Sequence, residues 1–314
     1  MQNRKGAINH LTQLVGNTPL LNLDFFSPHP DRIHLFAKAE WLNPGYSVKD
    51  RAALNIIQTA LGQGKLELGK RLLDASSGNT ALSYAMLAAG FGIAVTLCVP
   101  ENVGALQKSL LHAYGADVVY TSALDGSDGA IRLAKKLAAE DSDKYYYADQ
   151  YNNPANWQAH YRGTAMEIWQ QTHGRITHFV AGLGTTGTFV GVGRRLREIK
   201  PEIALYSIQP DSPFHGIEGL KFMETTIVPG IYDPGIADRN LLVSTEDAQT
   251  WVLRLAHKTG YLVGLSSGTA MAAATRLANE IDSGVIVTVF PDSAQRYMHE
   301  NFWQEFNNAV SNKT

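Results

Sequence analysis

Short runs of β-branched and aromatic residues alternate with amphipathic stretches along nearly the whole chain. The runs at 34–40, 71–77, 92–100, 117–122 and 144–148 read as strands, as do 177–182, 204–210 and 285–290. Between them, 127–140, 153–172, 189–200 and 245–259 carry apolar residues at helical spacing. Strand–helix alternation at this spacing predicts an α/β fold with parallel sheets flanked by helices. The strands are almost continuously apolar, as sheets buried on both faces require. Residues 149–154 (DQYNNP) are rich in turn formers and fall near the midpoint, which makes them the expected domain junction. The stretch 210–234 has turn signals and little periodicity, the mark of a functional loop.

Composition narrows the class without naming it. The chain has 314 residues, 45% of them hydrophobic, enough for a sizeable core and for two domains. Its net charge of −2 points to neither nucleic acid nor an anionic membrane as partner. No apolar run reaches the ~18 residues of a membrane span. The first residues lack the apolar run of a signal peptide, so a cytoplasmic globular enzyme or binding protein is expected. The single cysteine, Cys98, sits in an apolar strand and reads as a core residue. The ten histidines show no metal-ligand spacing, and no metal is expected.

Four segments carry candidate chemistry. In Asn43-Pro-Gly-Tyr-Ser-Val-Lys-Asp-Arg51, Ser47 is a candidate N-cap that places Lys49 in a first helical turn. A cation there opposes the helix dipole, which helps a lysine that must act as a neutral nucleophile. Taken alone, the segment reads more simply as a solvated charge cluster. In Asp74-Ala-Ser-Ser-Gly-Asn-Thr80, the hydroxyls of Ser76, Ser77 and Thr80, the amide of Asn79 and the bare backbone of Gly78 could hold a carboxylate. An ordinary strand-to-helix turn is the simpler alternative.

Gly182-Leu-Gly-Thr-Thr-Gly-Thr188 joins a strand to a helix and offers a phosphate cradle of backbone N–H groups and hydroxyls. It also spells GxGxxG, with Asp211 beyond the next strand, so a nicotinamide dehydrogenase stays open at this point. Gly264-Leu-Ser-Ser-Gly268 matches the GxSxG of hydrolases, with Asp292 and His299 following. Only one clear strand comes after Ser266, which leaves little sheet to carry a triad.

Together and in this order, these segments resemble the cysteine synthase family of fold-type II pyridoxal-phosphate enzymes, related in fold to the tryptophan synthase β chain. The similarity runs from Val15-Gly-Asn-Thr-Pro-Leu20 to Pro291-Asp-Ser-Ala-Gln-Arg-Tyr297. It implies that Lys49 carries pyridoxal 5'-phosphate as a Schiff base, and that Gly184, Thr185, Thr186, Gly187 and Thr188 hold its phosphate. Ser266 would meet the pyridine nitrogen and Asn79 the ring hydroxyl. Ser76, Ser77, Gly78, Asn79 and Thr80, completed by Gln150, would clasp the substrate carboxylate.

The implied reaction is β-replacement on O-acetyl- or O-phospho-L-serine through an α-aminoacrylate, with sulfide or another sulfur donor giving L-cysteine. The chain looks most like the cysteine synthase B type. Lys221, beside Gly219, is expected to attract an anionic leaving group or donor at the pocket mouth. The resemblance further implies a homodimer, with a smaller mobile domain over 38–150 and a larger one formed by 1–37 plus 151–314. Other readings are a 2,3-diaminopropionate synthase-like enzyme with a different nucleophile, and a non-catalytic protein that only binds the cofactor. Tyr46 in place of a small residue, Ala81 in place of glycine, and the segment Ser293-Ala-Gln-Arg-Tyr-Met-His299 depart from the family pattern and bear on substrate choice.

Overall fold

The computed structural model describes residues 10–67, 69–76 and 78–304, and Ser77 lies outside the described residues. Two sheets organise the chain. Strands β1 (Leu20–Asn22), β2 (Ile33–Ala39), β7 (His178–Gly182), β8 (Ala204–Pro210), β9 (Arg239–Val243) and β10 (Gly284–Phe290) form the larger one, in the order β1-β2-β10-β7-β8-β9. Only β1, paired with β2, is antiparallel there. Strands β3 (Arg71–Ala75), β4 (Val95–Pro100), β5 (Asp117–Thr121) and β6 (Tyr145–Tyr147) form a parallel sheet in the order β5-β4-β3-β6. The last two residues of β2, Lys38 and Ala39, still pair with β10.

Nine α-helices are described: α1 (Lys49–Gly62), α2 (Asn79–Phe91), α3 (Ala105–Ala113), α4 (Gly126–Glu140), α5 (Pro154–Ala159), α6 (Ala165–Gln171), α7 (Gly187–Ile199), α8 (Thr245–Thr259) and α9 (Leu265–Ala278). The apolar patterns explain their depth. All six residues of β4 are buried, Cys98 among them, and α2 buries nine consecutive residues from Thr80 to Ala88. Such a helix is apolar all round because it lies within the core. One core joins α1, α2, β3 and β4, and another packs α8 and α9 against the larger sheet.

The expected helix over 153–172 is three pieces: α5, a π-helical turn (His160–Thr164) and α6. Residues 211–233 hold no helix or strand, as the missing periodicity predicted. Ser47 is not the N-cap of α1. That place belongs to Val48, because Ser47 is held in an isolated β-bridge to Asp292, although its Oγ still accepts the Lys49 N–H at 3.3 Å.

Behind Lys49 lies a buried ionic network. Arg51, in the first turn of α1, donates to Glu40 from Nε at 2.7 Å and to Glu167 at 2.6 and 2.7 Å. Lys38 pairs with Glu167 at 2.6 Å, so two cations meet two carboxylates. Glu40 is fully buried and Arg51 is 6% exposed. The network ties the start of α1 to the end of β2 and to α6. It thereby fixes where Lys49 emerges.

Candidate active site

The carboxyl ends of β2, β3, β6, β7, β8 and β10 all feed loops that reach one cleft of about 630 Å³ with an inner recess. This is where parallel α/β sheets place their ligands. Lys49 borders both the cleft and its recess. Its Nζ forms no hydrogen bond or ion pair with a described residue. Burial lowers the amine's pKa, and the Asp292 carboxylate opposes the shift. A lysine so placed is more easily neutral, and hence nucleophilic, than one in water.

Across the recess from the Lys49 loop are Gly184, Thr185, Thr186 and Thr188. Asn156 donates to the Thr185 hydroxyl at 3.2 Å, and that oxygen also accepts the Gly187 N–H at 3.4 Å. Thr186 adopts φ 71° as the N-cap of α7, and its buried hydroxyl lacks a partner. Glycine is required at two positions. A Cβ on Gly184 would overlap the Gly219 carbonyl oxygen, and one on Gly187 would overlap the Asn156 amide. The result is a tight turn of bare backbone, an orphaned hydroxyl and a helix N-terminus, which together suit a phosphate. Beside Thr188, at 3.4 Å, is His160, which burial pushes down to about 3, so its imidazole is neutral.

Ser266 enters the recess from the first turn of α9, 7% exposed, and its side chain bonds no described residue. Ser76, Gly78, Asn79 and Thr80 line the cleft at the end of β3 and the start of α2. Gln150 joins them after β6. Its Nε2 donates to the Ala75 carbonyl at 2.7 Å, and its Oε1 accepts from Thr80 at 2.7 Å. Gly219 and Lys221 lie on the opposite loop. Lys221 faces Asp128 at 3.5 Å and stands 5.1 Å from the Tyr151 ring, so its charge is already shared. Burial lowers its pKa and Asp128 opposes that.

The hydrolase relay is not assembled. Asp292 accepts from Tyr297 at 2.5 Å and from Asn79 at 2.6 Å, while the His299 ring lies against Gly104. Residues that the family resemblance did not assign to the site also meet here. Asp292 and Glu218 border the recess, and Glu218, Glu300 and Gln107 border the outer cleft. Arg296, 6% exposed, donates to the Asn79 side-chain oxygen and to the Gly45 carbonyl. The departure of 293–299 from the family pattern was the one sequence signal at this corner.

The family model described as pyridoxal-phosphate dependent enzyme matches residues 11–292. The chain belongs to that family. It is 48% identical over 294 residues to a cysteine synthase of Aquifex aeolicus, covering 92% of this chain and 90% of that one. It is 38% identical to cysteine synthase B of Escherichia coli, with 94% and 96% covered. The crystal structure of a cysteine synthase from Entamoeba histolytica superposes with a TM-score of 0.88 at 30% identity, covering 94% and 90%. Enzymes of this family use pyridoxal 5'-phosphate, and the recess offers an unpaired lysine facing a phosphate-type turn. Among the described residues no helix is long and apolar enough to cross a membrane.

Proposed function

We propose that the chain catalyses β-replacement on an O-activated L-serine, the acetyl or phosphoryl ester, with a sulfur donor to give L-cysteine. The observation that carries this reading is the unpaired Lys49 amine, its pKa lowered by burial, in one recess with the phosphate-type turn and Ser266. The cysteine synthases it resembles support the choice of reaction.

Pyridoxal phosphate, when bound, supplies an electron sink for chemistry at the substrate α-carbon. Lys49 would anchor it covalently, and the same amine would serve as the base for the substrate's α-proton. Burial that lowers its pKa favours the basic form of that amine. Gly184, Thr185, Thr186, Gly187 and Thr188 hold the phosphate through backbone N–H groups and hydroxyls. Ser266 meets the pyridine nitrogen with an uncharged group, so it does not hold a proton there as a carboxylate would. Ser76, Gly78, Asn79 and Thr80 clasp the substrate carboxylate at the α2 N-terminus, with Ser77 assigned the same role by the motif. Gln150 keeps that loop in shape. Lys221 and Gly219 border the path by which the β-substituent departs. The net exchange would replace the C–O bond to it by a C–S bond at the β-carbon, with Lys49 placed to hold and return the α-proton.

The carboxylate loop belongs to the four-stranded sheet and the phosphate turn to the six-stranded one. On this reading, 38–150 moves as a smaller domain and closes over 1–37 plus 151–314 when substrate binds. A homodimer and a cytoplasmic setting accompany the proposal, and sedimentation of the holoenzyme tests the first. The reaction itself is tested by incubating the holoenzyme with sulfide and either O-acetyl- or O-phospho-L-serine. L-cysteine should form with at least one ester. No cysteine from either would refute the reading.

A further inference from the structure

Behind the Lys49 turn and the carboxylate loop, outside the cleft, one hydroxyl proton faces two acceptors. Ser83, on α2, is fully buried, and its Oγ lies 2.5 Å from Asp50 Oδ1 and 3.0 Å from the Asn79 carbonyl oxygen. Asp50, next to Lys49 on α1, is also fully buried. Its other oxygen, Oδ2, accepts the Gly45 N–H at 2.5 Å. A Cβ on Gly45 would overlap this carboxyl, so the turn before Lys49 packs directly on it. Asp50 and Ser83 thus stand between the turn that carries Lys49 and the first residue of α2.

A hydroxyl has one proton to donate. When Asp50 is ionised, the Ser83 proton goes to the carboxylate, because a charged acceptor makes the stronger hydrogen bond. The Asn79 carbonyl then loses that contact. When Asp50 carries a proton on Oδ1, it donates to Ser83, and Ser83 is free to donate to Asn79. Only the protonated form satisfies all three groups at once. The surroundings favour that form. Burial raises the Asp50 carboxyl to about 6, and the Glu40 carboxylate, from the segment after β2, adds to the rise. Ser83, the Gly45 N–H and the Arg296 guanidinium, from the segment after β10, oppose it.

We propose that Asp50 is a positioning residue, whose proton is relayed as a hydrogen bond through Ser83 to Asn79 and so readies the carboxylate loop for substrate. The proposal rests on the assignment of Ser76–Thr80 to the substrate carboxylate and adds a control on that loop. Neither Asp50 nor Ser83 lines the cleft or its recess. With the proton in place, a continuous chain joins Gly45, Asp50, Ser83 and Asn79, and hence the Lys49 turn to α2. Without it the chain is broken at Asn79. A negative charge then stands beside the first turn of α2, against an incoming carboxylate. By linkage, a carboxylate bound at the loop holds the Asp50 proton more tightly. The proton exchanges only with solvent as pH changes, and no bond of the substrate is altered.

L-alanine, which has the substrate's amine and carboxylate but no leaving group, is the probe. Its Kd is read from the absorbance of the holoenzyme between about pH 5 and pH 7.5. Ratios between enzyme forms at each pH cancel the titrations that they share. Asp50→Asn keeps the protonated pattern, since its Nδ2 donates to Ser83 at every pH. It should match the parent at about pH 5 and bind alanine about fivefold tighter at about pH 7.5, the effect of one hydrogen bond gained. Ser83→Ala should do the reverse, binding about fivefold more weakly than the parent at the lower pH and equally at the higher. Each ratio should change with a midpoint at about pH 6. Should Asp50→Asn fail to fold, the Ser83→Ala ratio carries the test alone. Ratios that stay constant with pH, while alanine still binds, would overturn the proposal and leave the carboxylate-loop assignment standing. Alanine that binds neither parent nor variants, all loaded with cofactor, would remove that assignment and the proposal with it.

Discussion

Arg296 donates a hydrogen bond to the side-chain oxygen of Asn79, joining residues 217 positions apart. On the other side of the same amide, Asn79 Nδ2 donates to Asp292 at 2.6 Å and to the Tyr297 hydroxyl at 3.1 Å. A cation at the oxygen and a carboxylate at the nitrogen fix which way the amide points. The segment after β10 thereby sets the polarity of the carboxylate loop at the start of α2. Arg296 also holds the Gly45 carbonyl in the turn before Lys49.

Removing Arg296 should therefore disturb substrate binding more than cofactor binding. In Arg296→Ala we expect KM for the O-activated serine to rise several-fold while the bound cofactor is retained. Steady-state kinetics with a parallel cofactor titration checks this. Equal loss of both would mean that Arg296 only supports the fold.

The buried pair behind Lys49 makes a sharper stability prediction. Burial raises the Glu167 carboxyl, but Arg51 and Lys38 outweigh it and hold it at about 2. Arg51→Ala strands Glu40 without its cation in a site of zero exposure. Breaking one partner of such a pair costs about 3–5 kcal/mol. Urea unfolding of variant and parent, both with cofactor, measures the difference.

Much of the site was legible because its pieces are local. Lys49, the Gly184–Thr188 turn and the Ser76–Thr80 loop each sit at the end of an apolar strand, where short-range pattern and backbone chemistry coincide. Glu218 and Arg296 were not singled out, and Asp292 was weighed only as a hydrolase triad partner, because their roles arise from contacts between segments that are remote in sequence. The edge strand β9 was missed as well. Four of its five residues are not buried, so it lacks the apolar run that marked the others. The π-helical turn His160–Thr164 was invisible for a different reason, since one extra residue in a turn hardly alters an apolar spacing.

The phosphate-type turn should tolerate no side chain at Gly184. A Cβ there meets the Gly219 backbone carbonyl, which cannot rotate away as a side chain could. Gly184→Ala should lower affinity for pyridoxal phosphate at least about tenfold, the effect of 1–2 kcal/mol of strain. Equilibrium dialysis against the cofactor reads this directly.

Asp74 predicts a pH dependence of stability. Burial pushes its carboxyl from 3.8 up to about 7, although the N–H groups of Ala75 and Gln150 bond it. A carboxyl with a raised folded pKa favours the fold when protonated. Its contribution is complete below about pH 4 and is lost as pH rises to about 7. Between pH 5 and 7.5 the parent should lose on the order of 2–3 kcal/mol relative to Asp74→Asn. Urea midpoints across that range, at constant ionic strength, test the slope.

Lys49 is the proposed anchor of the cofactor, and the absorbance spectrum of the purified protein tests that most directly. The parent, supplied with pyridoxal phosphate and freed of excess, should show a visible band of a lysine-linked cofactor. O-acetyl-L-serine should shift the band and sulfide should restore it, and Lys49→Ala should lack it from the outset. A band that survives unchanged in Lys49→Ala, or a parent that retains no cofactor, would contradict the account.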